Sequence, residues 1–249
     1  MELVIINQRR VFPLRKEYQI VKRVMDVTLC LLALPVALPL MAICAVAILL
    51  DSPGPVLFVQ DRVGKGGRIF RMYKFRTMQH RLDKGSHRAF MKAYVNGLID
   101  GDEEKSGVNG NWRCLSIKPS MDSPFGSNGN GKIYKPIQAS QVTRVGRILR
   151  KTSLDELPQI LNVLKGEMSL VGPRPNVPWE VEEYRSWHHE RLEVLPGITG
   201  LAQVCGRSAI SFDQIVRYDI AYVEKQSMKM DLKVLWWTLM TIFSGAGAE

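Results

Sequence analysis

The stretch Val27-Thr-Leu-Cys-Leu-Leu-Ala-Leu-Pro-Val-Ala-Leu-Pro-Leu-Met-Ala-Ile-Cys-Ala-Val-Ala-Ile-Leu-Leu50 contains no charged residue and is bounded by Asp26 and Asp51. An apolar run of this length can form a helix that enters a bilayer. A cleavable signal peptide fits poorly, because the run exceeds a usual signal h-region and has no A-x-A site before Asp51. We therefore predict a membrane helix. The alternative is a buried helix of a soluble protein, which rarely extends this far without a charge.

Basic residues flank this run on both sides, whereas the two flanks of a spanning helix normally differ in Lys and Arg content. Pro35 and Pro39 lie near its middle, where each removes a helical hydrogen bond and favours a kink. A re-entrant helix that enters and leaves the same membrane face satisfies both observations. A kinked single span is the alternative. The flanking cations are Arg9, Arg10, Arg15, Lys16, Lys22 and Arg23 before the run, and Arg62, Lys65, Arg68, Arg71, Lys74 and Arg76 after it.

The composition of the 249 residues is that of a globular protein, with 46% hydrophobic and 23% charged residues, which argues against disorder or a fibrous structure. The net charge of +10 calls for an anionic partner, such as nucleic acid, a phospholipid surface or a phosphorylated substrate. The four cysteines are scattered without a C-x-x-C pair, so neither a disulfide framework nor a zinc site is indicated.

A strand, turn and strand pattern follows the membrane run. The β-leaning stretches Pro55-Val-Leu-Phe-Val-Gln60 and Arg68-Ile-Phe-Arg-Met-Tyr-Lys-Phe75 are separated by the glycine-rich Val63-Gly-Lys-Gly-Gly67, which predicts a hairpin. The second strand and its end are rich in cations. Residues 79–140 include a polar, glycine-rich stretch and are predicted to be a solvated insertion.

A second decisive segment begins with Ser153-Leu-Asp-Glu-Leu-Pro-Gln159. Pro158 is tolerated only in a first turn, so we predict a helix that starts near residues 153–155 and ends at Gly166. Its apolar positions recur at helical spacing. They are Leu157, Ile160, Leu161 and Leu164.

Two interpretations of this helix start are open. In the first, Ser153 and Glu156 form a capping box and Asp155 is an ordinary N-terminal carboxylate. In the second, the two adjacent carboxylates form a reactive phosphate site at the positive end of the helix, where a depressed pKa keeps a nucleophile ionised. The preceding cations favour the second interpretation. They are Arg144, Arg147, Arg150 and Lys151.

Six motifs together resemble the bacterial sugar transferase family, the monotopic polyprenyl-phosphate phosphoglycosyl transferases. The likeness covers about residues 1–78 and 141–243, in order. The motifs are Lys22-Arg-Val-Met-Asp26, Asp51-Ser-Pro-Gly-Pro55, Tyr73-Lys-Phe-Arg-Thr-Met78, Ser153-Leu-Asp-Glu-Leu-Pro-Gln159, Asn162-Val-Leu-Lys-Gly-Glu-Met-Ser-Leu-Val-Gly-Pro-Arg-Pro175 and Pro196-Gly-Ile-Thr-Gly-Leu-Ala-Gln203.

The resemblance implies an α+β, mainly helical fold with a small β-hairpin or sheet. It implies a basic juxtamembrane segment at 1–26, a re-entrant membrane helix at 27–50 and a cytoplasmic catalytic domain at 51–249 with an insertion at about 79–140. Interfacial amphipathic helices would pack on that core, at the cytoplasmic face of the bacterial inner membrane.

The same resemblance implies transfer of a sugar 1-phosphate from a UDP-sugar to a polyprenyl phosphate such as undecaprenyl phosphate, with UMP as the other product. This would be the first membrane step of glycoconjugate assembly. The family's Asp-Glu dyad, which requires Mg²⁺, falls on Asp155 and Glu156. Asp155 would attack the β-phosphorus, form a covalent phosphosugar intermediate and serve as a candidate metal ligand. The implied partners are the two substrates, membrane lipid and a second copy of the chain, with no nucleic acid.

Phosphate-binding cations are needed because a carboxylate and a lipid phosphate must each approach an anionic diphosphate. Arg150 and Arg174 match family arginines, while Lys74 and Arg76 rest on their motif and charge. A solvated or lipid-facing cation is the alternative for each. Two weaker candidates for the nucleotide side are Thr199 and Gln203.

Several positions depart from the family pattern without touching the dyad. Leu38 precedes Pro39 where many members have serine, which weakens the re-entrant prediction slightly. The other departures are Glu167, Leu195 and Cys205.

The C-terminal segment 231–243 is too short to span a bilayer, yet Trp236 and Trp237 favour the headgroup level. An interfacial helix and a buried core helix are both open. His188 and His189 lack partners at metal-ligand spacing and are assigned no site. Four glutamates are predicted to form the solvated face of a helix. They are Glu180, Glu182, Glu183 and Glu190.

Two other function classes fit the composition. A membrane-anchored nucleic-acid binder would explain the charge, but the sequence lacks helix-turn-helix, RNP and zinc-finger signatures. A non-catalytic membrane scaffold would use the basic strand for anionic lipid and the dyad only as helix caps.

Overall fold

The computed structural model describes residues 16–79, 92, 94–96, 141–205 and 211–243. Most of the predicted insertion and the first three flanking arginines lie outside these residues. The described elements are mainly helical, as predicted. In chain order they are α1 (Lys16–Asp51), β1 (Leu57–Val63), β2 (Ile69–Phe75), α2 (Arg144–Lys151), a 3-10 helix (Leu154–Gln159), α3 (Ile160–Lys165), β3 (Ser169–Val171), α4 (Pro178–Val181), a second 3-10 helix (Ser186–Glu193), β4 (Gly197–Thr199), α5 (Leu201–Cys205), α6 (Phe212–Glu224) and α7 (Met228–Phe243).

The apolar run forms most of α1, a single 36-residue helix that contains Pro35 and Pro39. Only 17% of its most apolar window is buried, which argues against the core helix of a soluble protein and indicates a membrane-bound protein. The buried residues of α1 recur at helical spacing along one face, and that face packs on the rest of the chain. Its members are Asp26, Cys30, Ala37, Cys44 and Ile48.

Polar contacts attach both ends of α1 to the same body. Near its start, Lys22 Nζ lies 2.9 Å from Asp231 Oδ2, and Arg23 Nη2 donates to the Leu164 carbonyl at 2.8 Å. At its end, Asp51 Oδ2 accepts from the Val145 amide at 2.9 Å. These contacts hold α1 along the globular part over its whole length.

The predicted hairpin is confirmed. β1 and β2 pair antiparallel from Leu57 opposite Phe75 to Val63 opposite Ile69. The turn between them needs left-handed backbone at Gly66 and Gly67, with φ of 64° and 79°, which glycine adopts without a Cβ clash. β1 extends to Val63, three residues beyond the predicted end at Gln60, because its pairing with β2 continues to the turn.

The second sheet consists of β3 and β4 in parallel. Gly172 and Gly197 lie directly after β3 and at the start of β4, and a Cβ on either would meet the backbone of the other. The Gly172 amide donates to the Thr199 carbonyl, and the Gly197 amide donates to the Pro173 carbonyl, both at 2.9 Å. This close approach fixes the base of the loop that follows β3.

α7 is apolar on both its buried and its exposed side, which neither sequence interpretation of 231–243 described fully. Val234 is fully buried, and Trp237 packs beside it in a cluster with Val171 and Tyr222. Trp236 on the other side is 59% exposed. The helix is thus half core and half exposed apolar surface.

The predicted solvated glutamate face is wrong at two positions. Glu180 and Glu190 are buried. Glu180 Oε2 accepts from Asn176 Nδ2 at 2.6 Å, because the segment forms a short helix folded against the loop after β3 rather than a long exposed helix.

Candidate active site

The dyad lies on the 3-10 helix between α2 and α3. Ser153 reverses the chain before it with a φ of 56°, the left-handed region that non-glycine residues rarely adopt. The capping-box interpretation is wrong, because the Ser153 side chain makes no capping hydrogen bond and the Glu156 carboxylate is engaged elsewhere. Gly166 does end α3 as predicted, with a φ of 82°. The strained backbone of Ser153, close to the paired carboxylates, is typical of a functional site.

Glu156 is held by two cations. Its Oε1 atom accepts from Lys74 Nζ at 2.7 Å and from Arg174 Nη1 at 3.3 Å. Burial alone would raise the pKa of Glu156, but Arg174 and Lys74 together outweigh it and hold the pKa below its ordinary value. Glu156 therefore stays ionised and anchors both cations.

Asp155 has a different environment. Within the described part of the chain, its carboxylate accepts no hydrogen bond from a side chain or amide. Burial raises its pKa, and the neighbouring Glu156 charge adds to that rise against the opposing effects of Lys74, Arg174 and Arg150. The expected depression of the Asp155 pKa is therefore wrong, because desolvation outweighs the cations and the direct ion pairs go to Glu156.

One further cation, Arg150, belongs to this group with Lys74 and Arg174. Burial lowers the pKa of Lys74, with Arg174 adding to the effect and Glu156 opposing it. Burial also lowers the pKa of Arg150, while the charge of Asp155 raises it. Arg150 Nε donates to Thr77 Oγ1 at 3.1 Å, which ties α2 to the end of β2. The structure thus gathers three predicted cations around the dyad. They are Lys74, Arg150 and Arg174.

Arg174 sits in the Pro173-Arg-Pro-Asn176 loop, whose carbonyls are held by residues that the sequence did not mark as functional. Arg191 Nη2 donates to the Arg174 carbonyl at 3.1 Å, and Arg62 Nη1 donates to the Pro175 carbonyl at 2.9 Å. The Val63 amide donates to the Asn176 carbonyl at 2.9 Å. These three hydrogen bonds fix the backbone carbonyls of Arg174, Pro175 and Asn176.

Arg191 is itself a buried ion-pair partner, with Nη2 2.5 Å from Asp219 Oδ2 and both side chains 2% exposed. Burial lowers the pKa of Arg62 to about 10, and the nearby Arg174 contributes. Sequence spacing could not single out Arg62 or Arg191, because their contacts with the Pro173–Asn176 loop depend on how the chain folds.

The structure does not bring the other predicted ligands into contact with the dyad. Arg76 is buried and donates to the Ser52 carbonyl at 2.6 Å and to the Pro53 carbonyl. Thr199 Oγ1 lies 2.7 Å from Thr238 Oγ1, and Gln203 Nε2 donates to the Ile198 carbonyl at 3.1 Å. No hydrogen bond or ion pair among the described residues joins these three to Asp155 or Glu156. Their role in nucleotide binding stays a prediction.

His188 is buried, with Nε2 3.1 Å from Asp213 Oδ1 and Nδ1 accepting from the Arg185 amide at 3.2 Å. Burial lowers the His188 pKa to about 4. Among residues the structure describes, no cluster of three His, Cys, Asp or Glu side chains could hold a metal by itself.

Comparisons with known proteins agree with the motifs. The family described as bacterial sugar transferase matches residues 17–245. Galactosyl transferase CpsE of Streptococcus agalactiae is 37% identical over 92% of this chain and 44% of its own length. The UDP-N-acetylgalactosamine-undecaprenyl-phosphate N-acetylgalactosaminephosphotransferase of Aeromonas hydrophila is 35% identical, over 93% of this chain and 46% of its own.

The chain therefore spans less than half the length of these two relatives. Exopolysaccharide production protein ExoY of Sinorhizobium fredii, 33% identical, matches 91% of this chain and 87% of its own length.

Proposed function

Because the chain belongs to the bacterial sugar transferase family, we propose that it transfers a sugar 1-phosphate from a UDP-sugar to undecaprenyl phosphate or a similar polyprenyl phosphate. UMP is the other product. The observation that carries this proposal is the dyad itself, an Asp155 carboxylate with no hydrogen bond from the described residues beside a Glu156 that anchors Lys74 and Arg174. The relatives' names include galactose, N-acetylgalactosamine and glucose, so the sugar is left to experiment.

Asp155 acts as the nucleophile. One carboxylate oxygen forms a bond to the sugar-bearing phosphorus, and the bond from that phosphorus to the UMP oxygen breaks with its electron pair leaving on UMP. A polyprenyl phosphate oxygen then attacks the same phosphorus and releases the Asp155 carboxylate. The raised pKa suits this role, since a more basic carboxylate is the better nucleophile once ionised.

Glu156 acts as a positioning anion. Its lowered pKa makes it a poor base, whereas its contacts fix the two cations that face the phosphates. With Arg150 included, three cations against two carboxylates leave one net positive charge for the anionic substrates. The cations then offset the like-charge repulsion of both steps.

The donor set also fits Mg²⁺. This ion usually takes one or two carboxylates plus substrate phosphates and keeps several waters, so a complete protein cage is not required. Asp155 accepts no hydrogen bond from the described residues and so has lone pairs for that purpose, whereas Glu156 is committed to Lys74 and Arg174. A bound Mg²⁺ would neutralise charge on the diphosphate.

α1 is re-entrant on the cytoplasmic face of the bacterial inner membrane. The attachments at Lys22, Arg23 and Asp51 support this arrangement, because a transverse span would carry the polar globular part into hydrocarbon. A homodimer stays a prediction.

Labelling of single cysteines tests this topology. Cysteines placed at Lys16 and Lys65, in a variant without the native cysteines, should both react with an impermeant reagent only after the cytoplasmic side is opened. A periplasmic Lys16 position would establish a full span.

The activity is tested with purified protein, Mg²⁺, undecaprenyl phosphate and a panel of UDP-hexoses and N-acetylated UDP-hexoses. We expect UMP release with one or a few donors, abolished by EDTA. A labelled Asp155 peptide should form when labelled donor is supplied without acceptor. Absence of both a stoichiometric UMP burst and this peptide, in a preparation that makes product, would replace the covalent route by direct displacement.

A further inference from the structure

The start of β1 carries apolar side chains that the described structure does not cover. Leu57 is 37% exposed, Phe58 47% and Val59 46%. Because successive residues of a strand point to opposite faces, both faces of the hairpin are open at this end. A run of three exposed hydrophobic residues in water is unfavourable unless something apolar contacts it.

Phe58 lies on the same face of the hairpin as the site lysine. It is directly opposite Lys74 in the β1–β2 register. Directly opposed residues project to the same face with Cβ atoms about 5 Å apart. Lys74 Nζ contacts Glu156 at 2.7 Å, so Phe58 is the cross-strand neighbour of a residue that pairs with the dyad.

The apolar surface of α1 leads to this position. Its last residues, Leu49 and Leu50, are 57% and 84% exposed. Only residues 52–56 separate α1 from β1, and Arg76 holds the Ser52 and Pro53 carbonyls against the end of the hairpin. The lipid-facing side of the helix is therefore joined to Phe58 by a short, fixed connection.

This surface fits one kind of occupant. It is apolar toward α1 and cationic toward Lys74 and Arg174, which matches a molecule with a hydrocarbon chain bonded to an anionic head. A uracil ring would need hydrogen-bond partners, and the side chains of residues 57–59 offer none. We propose that Phe58 contacts the first isoprene units of the polyprenyl phosphate acceptor while Lys74 and Arg174 hold its phosphate. This assignment rests on the proposed function.

Steady-state kinetics with Phe58→Ser test the contact. We expect KM for the polyprenyl phosphate to rise roughly tenfold, from loss of part of the burial of one aromatic ring, with KM for the UDP-sugar within about twofold of wild type. Phe58→Leu should restore most of the affinity. Ile69→Ser is the matched control, since Ile69 is 63% exposed at the other end of the hairpin, and it should leave both KM values unchanged.

A rise in KM for the UDP-sugar would place the ring against the nucleotide and overturn the proposal, as would no change in either KM. Unchanged thermal unfolding midpoints will separate these outcomes from misfolding.

A second measurement does not depend on turnover. A polyprenyl phosphate with a photoreactive group in its first isoprene unit should label the peptide that contains Phe58 in wild-type protein. Labelling elsewhere would overturn the contact. If the protein labels at this peptide yet releases no UMP from any donor, the proposed function fails while the lipid site stands.

Discussion

Two charged clusters in this molecule are built from similar groups and differ in how completely those groups are paired. Around Asp231, which is fully buried, Tyr18 and Lys22 donate to one carboxylate oxygen at 2.7 and 2.9 Å, and Tyr222 donates to the other at 2.6 Å. Around the dyad, Glu156 is paired but Asp155 has no hydrogen bond within the described residues. The first cluster joins α1 to α6 and α7, whereas the second leaves a carboxylate ready for a substrate.

The difference shows how to separate structural charges from reactive ones. A buried carboxylate with every oxygen satisfied contributes to folding, and removing it leaves uncompensated donors. A carboxylate that is desolvated yet unsatisfied destabilises the folded chain and is retained for another reason. Four substitutions test this distinction.

The largest effect is expected for Asp155→Asn. Because an amide cannot serve as the nucleophile, turnover should fall by at least about 10³-fold. Release of UMP from the preferred UDP-sugar measures it, and the secondary structure and membrane association should be those of wild type. Near-normal turnover would show that Asp155 is not the nucleophile.

Asp231→Ala should mainly reduce the stability of the fold, whereas Asp155→Asn should mainly reduce turnover. Removal of this acceptor leaves Lys22, Tyr18 and Tyr222 without their partner in the interior, so the free energy of unfolding should fall by about 3–5 kcal/mol. Chemical unfolding in detergent micelles measures the loss. Asp231→Asn, which keeps an acceptor oxygen, should lose less. Equal stability of all three proteins would contradict the structural role.

Glu156→Gln should lie between these extremes. The amide keeps the shape but weakens the hold on Lys74 and Arg174, and the misplaced cations should lower turnover by roughly 10- to 100-fold. The decrease should appear in kcat more than in KM for the UDP-sugar. A variant with wild-type kcat would remove Glu156 from the mechanism.

The smallest effects concern stability as a function of pH. Ionisation of Glu156 should stabilise the folded state, whereas ionisation of Asp155 should destabilise it. Glu156 has a lowered folded pKa, so its stabilisation is present above its ordinary pKa of 4.5 and is lost as pH falls through the folded value. Glu156→Gln should therefore be less stable than wild type at neutral pH and equal to it in acid.

Asp155 has a folded pKa raised above 3.8, so its ionisation destabilises the folded state above the folded pKa and not below 3.8. Asp155→Asn should be at least as stable as wild type at neutral pH. Thermal unfolding midpoints across the acid range check both variants. A less stable Asp155→Asn at neutral pH would mean that the carboxylate has a partner after all.

Much of the site was predictable because its residues lie in contiguous motifs. Adjacent carboxylates before Pro158, with Arg150 just ahead of them, mark the dyad, whereas Lys74 was indicated by its motif and charge and Arg174 by the family resemblance. The direction of the Asp155 pKa was not predictable, since it depends on how burial and pairing are divided between two neighbours. Arg76 illustrates the same limit, because its motif predicts a phosphate ligand, which stays a prediction, but gives no sign that its guanidinium holds the backbone after α1.

The amino-acid sequence by itself determined the long apolar helix, the hairpin with its glycine turn and the position of the dyad, because each depends on local hydrophobic pattern, turn chemistry or adjacent residues. Only the tertiary structure decided which charges are satisfied. Arg62 and Arg191 reach the Pro173–Asn176 loop across 113 and 17 residues of chain. Such contacts depend on packing between distant segments, which no local pattern in the chain encodes.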